Sequence, residues 1–453
     1  MQTKRLLLTT RVRLHRLAFG LATLIAGGAS TALSDGLLNA EPPVPAWTWG
    51  GDLRLRDEYF TNAFTLDSTA PLHEQSYQRL RERFWSTVAF DDDVALNVRL
   101  TCENWEWDKD AFSPPFQRGW VTSEGVIDLL NCKWKNAFGL PLRLIMGRQE
   151  IEMGDGWLIF DPSPLDGSRT QYFNAARGTL QLSAHTTLDL IFVDLPAFDG
   201  LPVLNNQHTA LAEQSERGRI VYLSSGTSSS SQADAYFIQR DMHRVLANGD
   251  DGQFSAAGAR VVGMVSPDWQ VKAEAVYEFG TKDDRELRAW GSIGQATWFA
   301  RDAGNNQFYL VAEALSGDRP GTSQDEQFDA LWGRYPRWGE VPALVYALET
   351  RIGQFGNMLR IGPGWSFSPA KAYNITLNYD AIWALEYNRG TTGGLFSAVG
   401  RFRGHAVQSF FRYRLSNRWR ALLQGESFLP GDYYATGKRA TVTFLREELA
   451  WTF

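Results

Sequence analysis

From Trp47 onward the chain alternates apolar and polar side chains, and it rarely breaks that rhythm before its last residue. In "WTWGGDLRLRDEYF", Trp47, Trp49, Leu53, Leu55 and Tyr59 share one face, while Asp52, Arg54, Arg56 and Glu58 share the other. "WQVKAEAVYEFG" sorts the same way, with Trp269, Val271, Ala273, Ala275, Tyr277 and Phe279 opposite Gln270, Lys272, Glu274 and Glu278. "QFYLVAEAL" and "AYNITLNYDA" follow suit. A period of two marks β-strands, whose side chains point alternately to the two faces of a sheet. Helical periodicity is scarce. After residue 40 no apolar run reaches the roughly 18 residues that a membrane-spanning helix needs. The chain reads as all-β.

The connections between these strands fall into two alternating kinds. Short ones include "DDD" (91–93), "GLP" (139–141), "HTT" (185–187), "SPD" (266–268), "PAK" (369–371) and "SNR" (416–418). Longer ones lie between them, near 61–76, 108–125, 154–173, 196–217, 317–345 and 428–440. Short turns at one rim and long loops at the other predict a transmembrane antiparallel β-barrel of the outer-membrane type, with short periplasmic turns and long extracellular loops. With both termini periplasmic the strand number is even, and the count is about 18, with soft boundaries between 218 and 260.

A soluble solenoid or large sandwich is the competing fold, and the placement of arginine argues against it. In "YQRLRERFWSTVAF", Arg79, Arg81 and Arg83 share one face while Leu80, Phe84, Val88 and Phe90 share the other. An Arg facing lipid at the midplane of a barrel costs about 2–4 kcal/mol, so all three must face the lumen. Trp47, Trp49, Phe60, Phe90, Trp105, Trp107, Trp269 and Phe279 cluster toward strand ends, as interfacial girdles require. Of 45 basic residues only eight are Lys, leaving 37 Arg. That bias matters because Arg forks onto carboxylates where Lys offers a point charge.

The first residues read as an export signal. Lys4, Arg5, Arg11, Arg13 and Arg16 precede the apolar "LAFGLATLIAGGA", and "STA" (30–32) offers a cleavage site after Ala32. The expected organisation is a signal peptide (1–32), a Pro-rich linker (33–46) and the barrel (47–453). In an oxidising compartment Cys102 and Cys132 have the opportunity to pair, and the sequence leaves that open.

The most singular stretch is "LRLIMGRQEIEMGDGWLIFDPSPLDGSRTQYFNAAR" (142–177). It resembles the core of the alginate export family of outer-membrane barrels, in which a "GRQE…GD" strand end precedes an Arg-Thr-rich return strand. Gly147, Arg148, Gln149, Glu150, Gly154 and Asp155 match the first half; Arg169, Thr170, Phe173 and Arg177 match the second. Asn174 and Ala175 depart from the family's Asp-Gly. "SGDRPGTSQDEQFDALWGRYP" (316–336) and "ESFLPGDYYATGKRATVTFLREELAWTF" (426–453) are similar to two further family segments. The resemblance implies a passive channel with an Arg-lined lumen that carries a polyanionic, uronate-type polysaccharide, with Arg148, Glu150, Arg169 and Arg177 at matched positions. Alternation alone adds Arg54, Arg56, Arg79, Arg81, Arg83, Arg99, Arg401, Arg403, Arg420 and Arg446 as lumenal candidates. Guanidinium groups in a narrow pore select carboxylate-bearing solutes, and interspersed acids permit release. For any single Arg, a salt-bridge ladder that stiffens the barrel explains the residue as well.

Other readings remain. A general or nutrient-uptake porin has the same pattern. An outer-membrane hydrolase needs an activated Ser–His pair, and His15, His73, His185, His208, His243 and His405 lie near no nucleophile motif. No catalytic residue, metal or cofactor is expected; acid pairs such as Asp250–Asp251 and Asp283–Asp284 read as solvated turns, and the expected oligomeric state is a monomer. Loops 154–173 and 317–345, rich in Gly, Pro and Asp, are candidates to fold into the pore. The final strand places Trp451, Leu449 and Leu445 toward lipid and Arg446 and Glu448 inward, with Phe453 at the periplasmic rim as the mark read by the barrel-assembly machinery. Glu447 breaks the scheme, so a bulge or a cross-strand partner is expected there.

Overall fold

A computed structural model describes residues 46–71, 73–109, 121–160, 172–198, 203–204, 212–228, 230–333, 338–350, 355–388 and 394–453. The segment expected to be a signal peptide and nearly all of its linker lie outside the described residues. The strands are β1 (Ala46–Thr61), β2 (Glu74–Ala89), β3 (Val94–Lys109), β4 (Val121–Trp134), β5 (Leu142–Gln149), β6 (Phe173–Ser183), β7 (Thr186–Leu195), β8 (Val203–Leu204), β9 (Gln214–Ser228) and β10 (Ser231–Arg244). They continue with β11 (Gly252–Ser266), β12 (Trp269–Lys282), β13 (Arg285–Phe299), β14 (Gln307–Leu315), β15 (Met358–Ala370), β16 (Tyr373–Trp383), β17 (Phe402–Arg414), β18 (Trp419–Pro430) and β19 (Val442–Thr452). A short helix, α1 (Glu340–Tyr346), lies between β14 and β15.

Eighteen of these strands pair antiparallel with their neighbours and close into a ring when β19 pairs with β1. The two-residue β8 stands outside that ring order: it pairs with β4 beside Gly125 and Val126, while β5 pairs with β4 from Leu130 to Trp134. Closure leaves no open edge, which lipid would not tolerate. No described helix is long and apolar enough to cross a membrane, so the strands cross.

Alternation decides the two faces, with a correction: Phe60, expected in an interfacial girdle, is buried inside the barrel. Leu55, Leu190 and Leu445 are outward and exposed, whereas their charged sequence neighbours Arg54, Arg56, Asp189 and Arg446 are buried inside. A row of outward aromatics runs around the short-turn end. The register aligns Trp269, Trp298, Phe308 and Trp365 across four strands, and Trp419 stacks on Trp451 at 5.9 Å.

The ends of the ring meet at Phe453. Its amide donates to Gly51 O at 3.0 Å, and Gly51 N donates back at 3.2 Å. Its ring packs 4.8 Å from Trp451, 5.9 Å from Phe84 and 6.5 Å from Trp49, centroid to centroid. A Cβ on residue 51 would run into that ring, so this seam needs glycine.

Several expectations are corrected. The soft region resolves into β9, β10 and β11. Not every loop at the far rim is long: β12 and β13 join through Asp283 and Asp284 alone, both at positive φ (49° and 63°), as a two-residue hairpin turn requires. Cys102 and Cys132 are both free. The register sets Cys102 beside Gly125 and Cys132 beside Leu96. Six strand positions at ~3.4 Å each separate them by about 20 Å, far beyond disulfide reach. Glu447 sits on no bulge, since the register runs unbroken past it; it faces outward between Asp57 and Leu423.

Candidate functional site

The inner face is built from the polar half of each alternation. On β1, Asp52, Arg54, Arg56 and Glu58 are at most 6 % exposed, against 45 % for the outward Leu55. Register sets Arg54 beside Arg81 and Arg56 beside Arg79. Like charges directly opposite are unfavourable in a sheet, so this pairing holds only with acids interleaved. They are present. Glu448 of β19 takes Arg56 at 2.5 Å and lies 3.9 Å from Arg54. Asp52 takes Arg83 at 2.5 Å and Arg81 at 3.3 Å. Glu58 joins Arg79 at 3.4 Å and also bonds Arg446, and Glu103 of β3 takes Arg79 at 3.0 Å.

The ladder continues onto β4, where a register shift beside Arg99 accompanies a buried Asp128. Asp128 accepts from Arg99 at 2.8 and 2.9 Å, the two-pronged geometry that a planar guanidinium favours. Glu150, just past β5, adds a contact to Arg99 at 2.6 Å. Arg177 is held by Asp189 at 2.7 Å. Arg148 donates to Asn174 Oδ1 at 3.0 Å and to Ile127 O at 2.7 Å, and its guanidinium lies 3.6 Å over the Tyr172 ring.

Other sequence candidates occupy different settings. Arg401 precedes β17, where it donates to Ala384 O at 3.1 Å and faces Tyr387. Arg403 is buried between Tyr346 and Tyr433, 4.5 and 4.1 Å from their rings, with Glu349 at 2.5 Å. Arg420 is exposed at the start of β18, opposite Arg414. Arg169 lies outside the described residues.

Two long connections enter the ring. From the β5–β6 connection, Asp155 reaches Arg260 at 2.9 Å and Lys272 at 3.6 Å, and Trp157 donates to Glu313 at 2.9 Å. From the β14–β15 connection, Asp329 bridges Arg240 at 2.8 Å and Lys282 at 2.7 Å, and Trp332 donates to Glu216 at 2.7 Å. Trp332 is fully buried, and its ring occupies the space a Cβ on Gly218 would fill. Glu426 of β18 accepts from the first amides of α1, Glu340 N at 3.0 Å and Val341 N at 2.9 Å, where helix amides are otherwise unsatisfied. Arg446 reaches Glu340 of the same helix at 2.9 Å. The β14–β15 segment is thus pinned to the inner wall by buried ion pairs and the β5–β6 segment by half-exposed ones, and the ring is narrowed from within.

The protein-family model described as alginate export matches residues 47–446. The chain belongs to the alginate export family. Among solved structures, this family member is similar to OccK11 (OpdR) of Pseudomonas aeruginosa, with 10% identity, a TM-score of 0.52, and coverage of 89% of this chain and 96% of that one. It is also similar to the outer membrane protein opdK of the same organism (12%, TM-score 0.54, 90% and 98% coverage). Acinetobacter baumannii OccAB4 is a third (9%, TM-score 0.54, 89% and 98% coverage). No curated protein matches by sequence. At such low identity these structures establish the fold: a bacterial outer-membrane barrel. Family and fold together point to a channel rather than an enzyme. Among the described residues no cluster of three or more His, Cys, Asp or Glu is arranged to hold a metal.

Sequence reasoning missed Arg240, Arg260 and Arg360, the cations that hold the inward segments. A signal was present. In "GARVV" and "MLRIG" a single Arg stands between apolar neighbours, and in a barrel strand such an Arg can only point inward. Their loop partners carried no such signal, because Asp155 and Asp329 sit in loops whose course local pattern does not set.

Proposed function

We propose that this family member passes an anionic, uronate-type polysaccharide or oligosaccharide across the outer membrane by passive diffusion. One observation carries the reading. On the inner faces of β1, β2, β3 and β19, the described Arg54, Arg56, Arg79, Arg81, Arg83, Arg99 and Arg446 outnumber the acids of the same strands, Asp52, Glu58, Glu103 and Glu448, while Asp128, Glu150 and Glu340 reach two of them from neighbouring elements. A passing carboxylate exchanges with a wall carboxylate on a guanidinium already oriented, so the cost of ordering the long side chain is met before the solute arrives. The interleaved acids keep each contact short-lived, as conduction requires. Membership of a family described as alginate export supports the same substrate class. Arg148, Arg177 and Arg420 extend the basic surface, with Arg169, Arg401 and Arg403 as further candidates beyond the ladder. The chain is proposed to act as a monomer, delivered by a cleaved signal and inserted by the assembly machinery through Phe453.

The test is conductance of the purified protein in planar bilayers. Mannuronate or guluronate oligomers added to one side should block the current, and neutral oligosaccharides of equal length should not. Equal permeation of both would sink the anionic reading. It would favour a general or nutrient-uptake porin, a reading that the inward segments, which narrow the lumen toward small solutes, also suit.

A further inference from the structure

The two rims of the barrel treat their cations differently. At the extracellular rim Arg244 pairs with Asp283, Arg285 with Asp318 at 2.8 Å, Arg288 with Glu286 at 2.7 Å and Lys438 with Asp67 at 2.8 Å. At the periplasmic rim Arg412 and Arg414 end β17, Arg418 lies in the turn that follows, and Arg420 opens β18. All four are exposed, and among the described residues none of them pairs with an acid. Arg412 is steadied by neutral groups alone. It donates to Asn374 Oδ1 at 3.2 Å and to Thr376 Oγ1 at 3.4 Å, and its guanidinium lies 4.7 Å over the Phe410 ring. The acids Asp91, Asp92 and Asp93 of the same rim lie in the turn beyond β2, away from this sector. The linker expected ahead of β1 carries two acids, Asp35 and Glu41, against these four cations.

Register joins the cluster to the ladder. Arg414 lies beside Arg420, Arg420 beside Ala450, Ala450 beside Arg54, and Arg54 beside Arg81, with no register shift in any of those pairings. Residues directly opposite in a sheet share a face, so the buried, inward Arg54 and Arg81 put Arg414 and Arg420 on the lumenal side too. Arg414 and Arg420 stand at strand ends, whereas Arg54 and Arg81 lie eight residues in from Ala46 and Ala89. Neighbouring strands are about 4.8 Å apart, so the row covers roughly 19 Å and climbs from the open rim into the lumen. Its inner end is held by wall acids, Glu448 beside Arg54 and Asp52 beside Arg81. At its outer end a solute carboxylate displaces water alone, because no wall acid competes there.

Resting on the anionic-polymer reading of the channel, we propose that Arg412, Arg414, Arg418 and Arg420 are the capture site for that polymer at the periplasmic mouth. Its carboxylates bind there first and pass along the row to Arg54 and Arg81, so the chain enters from the periplasmic side. Unmatched charge at a mouth raises encounter rates by about 10- to 1,000-fold, and the matched pairs of the other rim supply no such pull.

The experiment adds mannuronate oligomers first to one side and then to the other of the same single channel. At ~0.1 M KCl the on-rate of block should be about tenfold higher from one side. Arg414→Gln with Arg420→Gln should slow block from that faster side about tenfold and leave block from the slower side unchanged. Lys at both positions keeps the charge and should keep the fast on-rate, with shorter blocked dwells because the fork is lost. Raising the salt to ~1 M shortens the screening length from about 10 to about 3 Å and should erase the difference between sides in the wild-type channel, a measurement that needs no variant to fold. Equal on-rates from both sides, a difference that persists at high salt, or a folded Gln variant that keeps the wild-type difference would each overturn the capture site while leaving the anionic reading in place. No block from either side would remove both.

Discussion

Arginine has two different jobs on opposite parts of this barrel. Along β1, β2 and β19, Arg54, Arg56, Arg81 and Arg83 bond to acids of the same or a neighbouring strand, so the wall satisfies itself. Along β10, β11 and β15, Arg240 and Arg260 bond to Asp329 and Asp155 from the inward segments, and Arg360 lies against Trp338. Arg446 stands between the two classes, bonding both Glu58 of its own wall and Glu340 of α1. One residue type thus makes a charged surface on one side and a set of clamps on the other. The difference lies in where the partner acid comes from in the chain.

Loss of Phe453 should have the largest effect, because it opens the seam on which the self-satisfied wall depends. Deleting it should strongly reduce the heat-modifiable folded form in outer-membrane fractions; normal insertion would remove that seam from the argument. Next comes the clamp side. Arg240→Ala leaves Glu216 buried without its cation and Asp329 with Lys282, a loss of about 3–5 kcal/mol in denaturant unfolding for a broken buried pair. Conductance should also rise as the Asp329–Trp332 segment loosens. An unchanged current would mean that Arg240 does not hold that segment.

On the ladder side, the double change Arg54→Gln and Arg81→Gln should leave conductance nearly intact. It should shift the reversal potential in a salt gradient toward cations and weaken uronate block about tenfold. If the clamp variant alters anion preference as much as this one does, the division between the walls fails. The smallest effect belongs to a loop pair outside the membrane. Asp67 is partly exposed and bonds Lys438 at 2.8 Å; that hydrogen bond, followed by those from Thr69, holds the Asp67 carboxyl well below its usual value. A depressed folded-state pKa contributes stability above the unfolded value near 4, and this is lost as pH falls through the folded value. Exposed pairs are screened, so Lys438→Ala should leave the unfolding midpoint at pH 7 unmoved, and only a slight gain in acid sensitivity should appear. A large shift at pH 7 would show that this contact closes the rim.

Much of the barrel was legible beforehand, for a reason visible in single residues. Leu55 and Arg56 have to point opposite ways in any strand, and only one of them tolerates lipid, so sequence order by itself assigns both. The same argument covers β12 and the final strand, and it explains why the ladder was identified and why Glu447 stood out. Arg401 shows where alternation stops helping: it lies just outside β17, where no strand fixes its side. Arg240 and Arg260 escaped because their strand boundaries were indistinct, and Trp332 because a loop tryptophan reads as surface until Gly218 is seen across from it.

The sequence by itself determined the all-β class, the inside and outside of each strand, and the paired first and last strands, since these follow from a two-residue period and the cost of charge in lipid. Only the tertiary structure decided that two loops turn inward and that Asp329 and Asp155 are the partners of Arg240 and Arg260. Those contacts join residues dozens of positions apart or more, and no local rule of spacing brings them together.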